Sequence, residues 1–275
     1  MGKFKTLALL AGSAAAGAYA VRRSLENYVP QQAEADSDTV LLYQFDYSPF
    51  CAKVRHILDY KRVPYQTVEL TPILHRAFSR RLSGQIKVPY LRHKDQVIAD
   101  SSAIARYLEE TFPNPSLLPA DPQAREQVLL LEDWLDEALQ PALSKVAYLY
   151  LYLHPEIVIE DPAIGTGVDF LDQHKDKLVP LMLGMSVRKN QLTEADMPRL
   201  EERLNEVLSR LQGLLKGKDY LVGDRISLAD LTLTGHLSTA VRLPELTANP
   251  RWQWLFEWNE KVLKEIQAAE AVKAT

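Results

Sequence analysis

Val40-Leu41-Leu42-Tyr43-Gln44-Phe45, followed after two residues by Ser48-Pro49-Phe50-Cys51, decides how the chain is read. The apolar run has the composition of a strand, and it gives way to Val54, Ile57 and Leu58 at helical spacing, so the second stretch sits at a helix N-terminus. Ser48 is a favourable N-cap, and Pro49 suits the first helical position, whose amide has no intrahelical partner to lose. The free amides and the positive end of the helix dipole face whatever lies beside the Ser48 hydroxyl, which makes a seat for a sulfur anion. A C-x-x-C pair here would be a dithiol redox motif, but serine holds the first position and Cys51 is the only cysteine in the chain. Dithiol exchange within one pair is therefore excluded. The chemistry left is to bind a thiol supplied from outside and hold it as the nucleophilic thiolate.

Reading outward, a second strand is expected over Pro64–Glu69, a helix over about Ile73 to Leu82, and two short strands over Tyr90–His93 and Gln96–Ala99, joined by Lys94 and Asp95. Ser101 or Ser102 caps a helix from Ala103 to Thr111, which Phe112-Pro113-Asn114-Pro115 ends. This order gives a small mixed sheet with helices on its faces. Beyond the linker the pattern is helical almost throughout: Val128, Leu131, Trp134, Leu135, Ala138 and Leu139 recur at threes and fours, as do Leu200, Leu204, Val207, Leu208, Leu211 and Leu215. Thr193 with Asp196 and Ser227 with Asp230 are N-cap pairs three apart, the carboxylate form of a capping box. The segment from Glu156 to Met185 has no assignable periodicity. Tyr148, Tyr150 and Tyr152 step by two along a helix and cannot share one face. The domains are thus expected at 1–38 for an N-terminal segment and tether, 39–114 for the sheet unit, 115–121 for the linker and 122–275 for the helical unit.

A chain of 275 residues is comfortable for two domains, and its 47% hydrophobic and 25% charged content excludes wholesale disorder. A formal net charge of -4, without a cluster of Lys and Arg, disfavours a nucleic-acid surface. The six histidines are scattered with no zinc-site spacing, so no metal is expected. At the N-terminus, Lys3 and Lys5 precede an apolar stretch from Thr6 to Val21, with Arg22 and Arg23 beyond it. As a helix that stretch would span about 24 Å, short of the ~30 Å hydrocarbon core. A short membrane anchor over residues 6–21 is the leading expectation, with a cleaved signal or transit peptide and a myristoylated Gly2 as alternatives.

From Thr39 onward the chain resembles the glutathione transferase family. The resemblance rests on Ser48-Pro49-Phe50-Cys51, Lys87-Val88-Pro89, Asp100-Ser101 and Gly223-Asp224-Arg225-Ile226-Ser227-Leu228-Ala229-Asp230, four motifs in order with the expected elements between them. Its Leu42-Tyr43-Gln44-Phe45, Pro49 to Arg55 and Asp100-Ser101-Ser102 look most like the membrane-associated prostaglandin E synthase branch of type 2, whose pattern has cysteine where this chain has Ser48. The family implies an α/β thioredoxin-like domain followed by an all-α domain. It implies that Ser48 is catalytic and meets the glutathione sulfur. It implies that Val88, ahead of a cis Pro89, pairs with the cysteinyl backbone, that Lys87 meets the glycyl carboxylate, and that Asp100 and Ser101 take the γ-glutamyl end. Glutathione is then the cosubstrate and a small hydrophobic electrophile the acceptor, with a homodimer as the implied assembly. Cys51 is a redox candidate, because the first turn of a helix lowers a thiol pKa. The branch resemblance alone brings in haem, and together with the apolar stretch over residues 6–21 it implies a membrane location with the catalytic domain facing the cytoplasm, an exported form being the other outcome. A transferase-like scaffold with an unused cleft is the alternative to an enzyme.

Overall fold

Strand β1 (Val40–Gln44) is buried along its whole length, as a central strand with both faces covered must be. It pairs parallel with β2 (Tyr65–Glu69) and antiparallel with β3 (Tyr90–His93), and β3 pairs antiparallel with β4 (Gln96–Ala99), giving the order β2-β1-β3-β4. The computed structural model describes residues 28–30, 36, 38–71, 74–161 and 172–271. The expected anchor over residues 6–21 lies outside the described residues. Among the described residues, no helix is long and apolar enough to cross a membrane.

Period-two alternation divides β1 between two cores. Val40 and Leu42 face helices α1 (Pro49–Tyr60) and α3 (Ser101–Thr111), packing with Val54, Ile57, Leu58, Ile104 and Leu108. Leu41 and Tyr43 face the other way with Val68, Leu70 and Tyr90, under Phe78 and Leu82 of α2 (Arg76–Ser83). Helix α2 starts later than the expected Ile73, at a point where His75 holds the cap position, and Gly84 at φ 77° ends it. Tyr28, within the expected tether, docks on this second face. Its ring meets Phe78 edge-on at 6.4 Å, and its hydroxyl accepts the Thr71 amide at 2.9 Å.

The helical unit begins at α4 (Pro122–Trp134), capped by Asp121, and runs through a π-helical turn, Leu135–Leu139, into α5 (Gln140–Leu153). The unassigned stretch beyond Leu153 contains α6 (Glu156–Ile159) and α7 (Lys175–Lys189), followed by α8 (Met197–Leu215), α9 (Leu228–Ala240), α10 (Pro244–Thr247) and α11 (Gln253–Ala271). Both expected capping boxes form. The second is buried: Asp230 accepts the Ser227 amide at 2.9 Å, the Ser227 hydroxyl at 2.7 Å and, with its other oxygen, the Leu221 amide at 2.8 Å. That box starts α9, which is buried nearly all round and packs on α1, so side chains from both units share one core. Gly235 makes the α1–α9 approach as close as it is, since a Cβ there would stand 2.5 Å from the Lys53 Cα.

Candidate active site

Register gathers the sequence motifs at one end of the sheet. Tyr43 of β1 lies opposite Tyr90 of β3, which lies opposite Ala99 of β4. The chain therefore leaves β1 toward Ser48, enters β3 from Pro89 and leaves β4 into Asp100, all on the same edge. Ser48 caps α1 as expected, its Oγ accepting the Cys51 amide at 3.4 Å, and its own side chain is half-buried. The loop that carries it is fixed from below. Glu69 accepts the Asp46 amide at 2.8 Å and a Gln44 Nε2–H at 3.1 Å, while Arg55 donates to Gln44 Oε1 at 2.5 Å and to the Asp46 carbonyl at 3.2 Å.

The Val88–Pro89 bond is cis, as the resemblance implied. Pro89 is buried, Val88 half-buried and Lys87 exposed, so the cation is free of the core while the proline is locked into it. The expected cap of α3 needs correction: neither Ser101 nor Ser102 caps it. Asp100 does, at φ 83°, with Oδ1 accepting the Ser102 amide at 3.0 Å and the Ala103 amide at 3.1 Å. A carboxylate reaching two amides outcompetes a serine hydroxyl for the position, and Ser101 becomes a buried first-turn residue.

Cys51, the redox candidate, lies inside the fold. Its side chain points from the first turn of α1 into the core and is fully buried, and that burial pushes its thiol up to about 11, against the opposing bond from Ser48. A thiol in that state is protonated at neutral pH, which disfavours thiolate chemistry.

A buried polar cluster behind Ser48 was not foreseen. Lys53 Nζ, wholly buried, donates to Glu132, to Asp136 Oδ2 at 2.9 Å and to Ser102 Oγ at 3.3 Å; Ser102 also donates to Glu132. His236 of α9 donates from Nε2 to Asp136 Oδ1 at 2.7 Å, and its ring meets Phe50 edge-on at 5.2 Å. Burial presses the Asp136 carboxyl upward, yet the His236 bond and the Lys53 charge outweigh it and hold the group below the usual range. Burial lowers His236, which stays neutral with Nδ1 unpartnered. The cluster ties α1, the start of α3 and the helical unit together at the residue following Asp100-Ser101. Its trace in the sequence is Glu132 and Asp136 four apart, a like-charge pair that an isolated helix disfavours and a cation between them repairs.

On the helical side, Arg242 stacks 4.4 Å over the Tyr47 ring, pairs with Asp46 at 2.8 Å and reaches Asp161 at 3.4 Å, while the Tyr47 hydroxyl donates to Asp161 at 2.7 Å. The segment carrying α6 therefore touches the residue next to Ser48. Of the three tyrosines on α5, Tyr150 turns inward and stacks on His154 at 4.6 Å. Tyr148 and Tyr152, one turn apart, are exposed, and Gly184 of α7 leaves room for the Tyr152 ring.

This combination of a mixed sheet with a serine-capped helix, a cis-proline turn and an acid-capped third helix, joined to an all-α unit, defines a glutathione S-transferase architecture. The N-terminal domain model of glutathione S-transferases matches residues 42–116 and the C-terminal domain model matches residues 171–267, and the chain belongs to that family. Among curated proteins it is 28% identical over 210 residues to maleylacetoacetate isomerase of Rattus norvegicus, covering 74% of this chain and 78% of that one. It is 26% identical over 201 residues to the protein LigF of a Sphingobium species, covering 70% and 76%. The crystal structure of the β-etherase LigF superposes with a TM-score of 0.56 at 23% identity over 80% of this chain and 99% of that one. A human theta-class glutathione transferase in complex with a glutathione conjugate gives 0.59 at 20% over 85% and 86%. At these identities the structural likenesses establish the fold.

Proposed function

We propose that the chain binds glutathione along the edge formed by Ser48, Val88 and Asp100, holds its thiolate through the Ser48 hydroxyl and the first amides of α1, and transfers the sulfur to a hydrophobic electrophile. The observation that carries this reading is the Tyr43–Tyr90–Ala99 register, which places a helix N-terminus, a backbone edge beside a cis proline and an acid-capped helix start at one end of the sheet. Glutathione is an extended anion with one ammonium, and each part has a counterpart. Exposed Lys87 suits the glycyl carboxylate and the Val88 backbone suits the cysteinyl unit. The α3 start at Ser101 suits the γ-glutamyl carboxylate, and exposed Asp100 keeps Oδ2 for the ammonium.

On binding, the thiol proton leaves to solvent, and the Ser48 O–H donates to the remaining sulfur anion beside the positive end of α1. The sulfur lone pair then forms the new bond to the electrophilic atom, whose leaving group or π bond takes the displaced pair. Tyr148 and Tyr152, with Leu181 and Met185 of α7, are exposed apolar side chains that suit the acceptor. The relatives' names, an isomerase, a β-etherase and transferases, fit an enzyme of this kind. Nothing at the site favours haem: of the ligand-type side chains described around Ser48, Cys51 is sealed in the core, His236 is committed to Asp136 and Tyr47 to Asp161 under Arg242.

The test is glutathione titration followed by ultraviolet thiolate absorbance against pH, beside a conjugation assay. Ser48→Ala is expected to raise the bound thiol's pKa and lower turnover by one to two decades, about 1.4 to 2.8 kcal/mol, while Cys51→Ser leaves both near the parent. No calorimetric heat at several millimolar glutathione, or activity lost in Cys51→Ser and kept in Ser48→Ala, overturns the reading.

A further inference from the structure

His75 lies outside the chemistry described so far, yet it touches both loops that build the glutathione edge. It is buried at the cap of α2, with Nδ1 3.1 Å from the Thr71 carbonyl and Nε2 3.1 Å from the Ile86 carbonyl. Its ring also meets Phe45 edge-on at 4.9 Å, and the Phe45 carbonyl accepts the Ser48 amide at 3.0 Å. Both ring nitrogens thus face acceptors that cannot donate. A neutral imidazole carries one N–H and satisfies one of them; an imidazolium carries two and satisfies both.

The position gives that second bond a consequence. Ile86 stands two residues ahead of Val88, and the same helix holds the far end of the turn, where Ser79 Oγ lies 3.0 Å from the hydroxyl of Tyr90 at the start of β3. Helix α2 therefore grips the 84–90 turn at both ends, through Ser79 by neutral hydroxyls and through His75 by a bond that depends on a proton. The charged and titratable side chains on the surrounding elements are Arg76, Arg80 and Arg81 of α2 and Lys87 of the turn, all exposed, Glu69 at the end of β2, engaged by Gln44 and the Asp46 amide, Asp46 itself, paired with Arg55 and Arg242, and Tyr28, whose hydroxyl accepts the Thr71 amide. None of the hydrogen bonds described for these side chains reaches the ring.

We propose that His75 is a positioning residue for glutathione: its doubly protonated ring clasps Thr71 to Ile86 and holds Lys87 and Val88 in the geometry that receives the tripeptide. Affinity then falls as the ring gives up its second proton. The inference rests on the glutathione reading above, and its test separates the two. Calorimetry with S-methylglutathione, which has no thiol to ionise, is run on the full chain between about pH 5 and 8. The dissociation constant is expected to rise about five- to tenfold toward the alkaline end, the equivalent of one hydrogen bond, in the parent. In His75→Gln, whose two N–H donors sit on one nitrogen and carry no titrating proton, it is flat and already weak, with kcat at saturating glutathione near the parent value.

Two measurements need neither a variant nor a ligand. The ring nitrogens of His75 in a nitrogen-15 correlation spectrum are expected to be both protonated at the acid end, and amide exchange at Lys87 and Val88 to quicken as the second proton leaves. A ring that stays singly protonated at the acid end, exchange indifferent to pH, or a His75→Gln profile that follows the parent's overturns the clasp. Absence of S-methylglutathione binding at every pH removes the glutathione reading, and with it the role in binding, while the spectrum and the exchange rates still decide whether the clasp exists.

Discussion

Gly235→Ala is the substitution for which the structure gives the sharpest magnitude. The added Cβ would stand 2.5 Å from both the backbone N and the Cα of Lys53 and 2.8 Å from its Cβ. Carbon atoms pack best at about 3.5–4.0 Å, so α9 and α1 must part by about 1 Å at their crossing. Neither helix has room to yield, because α9 is buried nearly all round and α1 is wedged between it and the sheet. Overpacking of this kind costs about 1–3 kcal/mol, and misplacing Lys53 against Glu132 and Asp136 adds to it, so a net loss of about 2–4 kcal/mol is expected. Gly213→Ala is the matched control. It sits within α8 with nothing within 4 Å of the new Cβ, and there the helix-propensity gain of up to about 1 kcal/mol stands alone. Because that gain is common to both variants, the difference between them isolates the clash. Equilibrium urea unfolding of the two proteins beside the parent measures it. A Gly235→Ala protein within about 0.5 kcal/mol of the parent would show that the interdomain approach is compliant and would refute the reasoning.

Two further outcomes follow from burial and from chain geometry. Burial holds the half-buried His56 down at about 4 and lowers His236, so between about pH 6.5 and 4 the unfolded chain takes up protons that the folded one refuses, and stability falls with acidification. From His56 alone the loss between pH 7 and 5 is roughly 1–2 kcal/mol, read as a shift of the urea midpoint that His56→Gln removes; a parent midpoint unchanged over that range contradicts it. If the sequence expectation of an anchor over residues 6–21 is right, the full chain is found in the membrane fraction and a chain lacking residues 1–27, which keeps Tyr28 on Thr71, in the soluble one; a soluble, uncleaved full chain tells against the anchor.

The parts of the site legible in the sequence are those decided by neighbours in the chain. Ser48 before Pro49, the Ser227–Asp230 box and the Lys94-Asp95 hairpin each satisfy backbone groups a few residues away, and each forms as read. The cap of α3 was open between serines, because local sequence does not say which residue leaves the helical conformation; Asp100 does so at positive φ, a choice made by the β4 exit. The burial of Cys51 was hidden for a different reason. Its place in the first turn is a one-dimensional fact, whereas the depth that raises its thiol depends on the sheet behind it. The Lys53 cluster and the Arg242 contacts join residues 30 to 196 positions apart, and no local pattern announces such pairs. The segment around α6 and α7 carries little periodicity because most of its residues are partly exposed.

Ser48 and the surface above it are anchored by separate bonds. Glu69, Gln44 and Arg55, all of the sheet unit, set the loop from beneath, whereas Arg242 and Asp161 of the helical unit meet it only at Asp46 and Tyr47. Changing the length or sequence of α6 or α7 would therefore alter the contact that Asp161 makes with Tyr47 without touching the bonds that set the Ser48 loop, which on the proposed reading holds the thiol. For an engineer who accepts that reading, α6 and α7 are the helices to randomise in search of new acceptors while the proposed thiol seat is kept. For a lineage under selection, the same helices are a route to new substrates in which few intermediates are inactive.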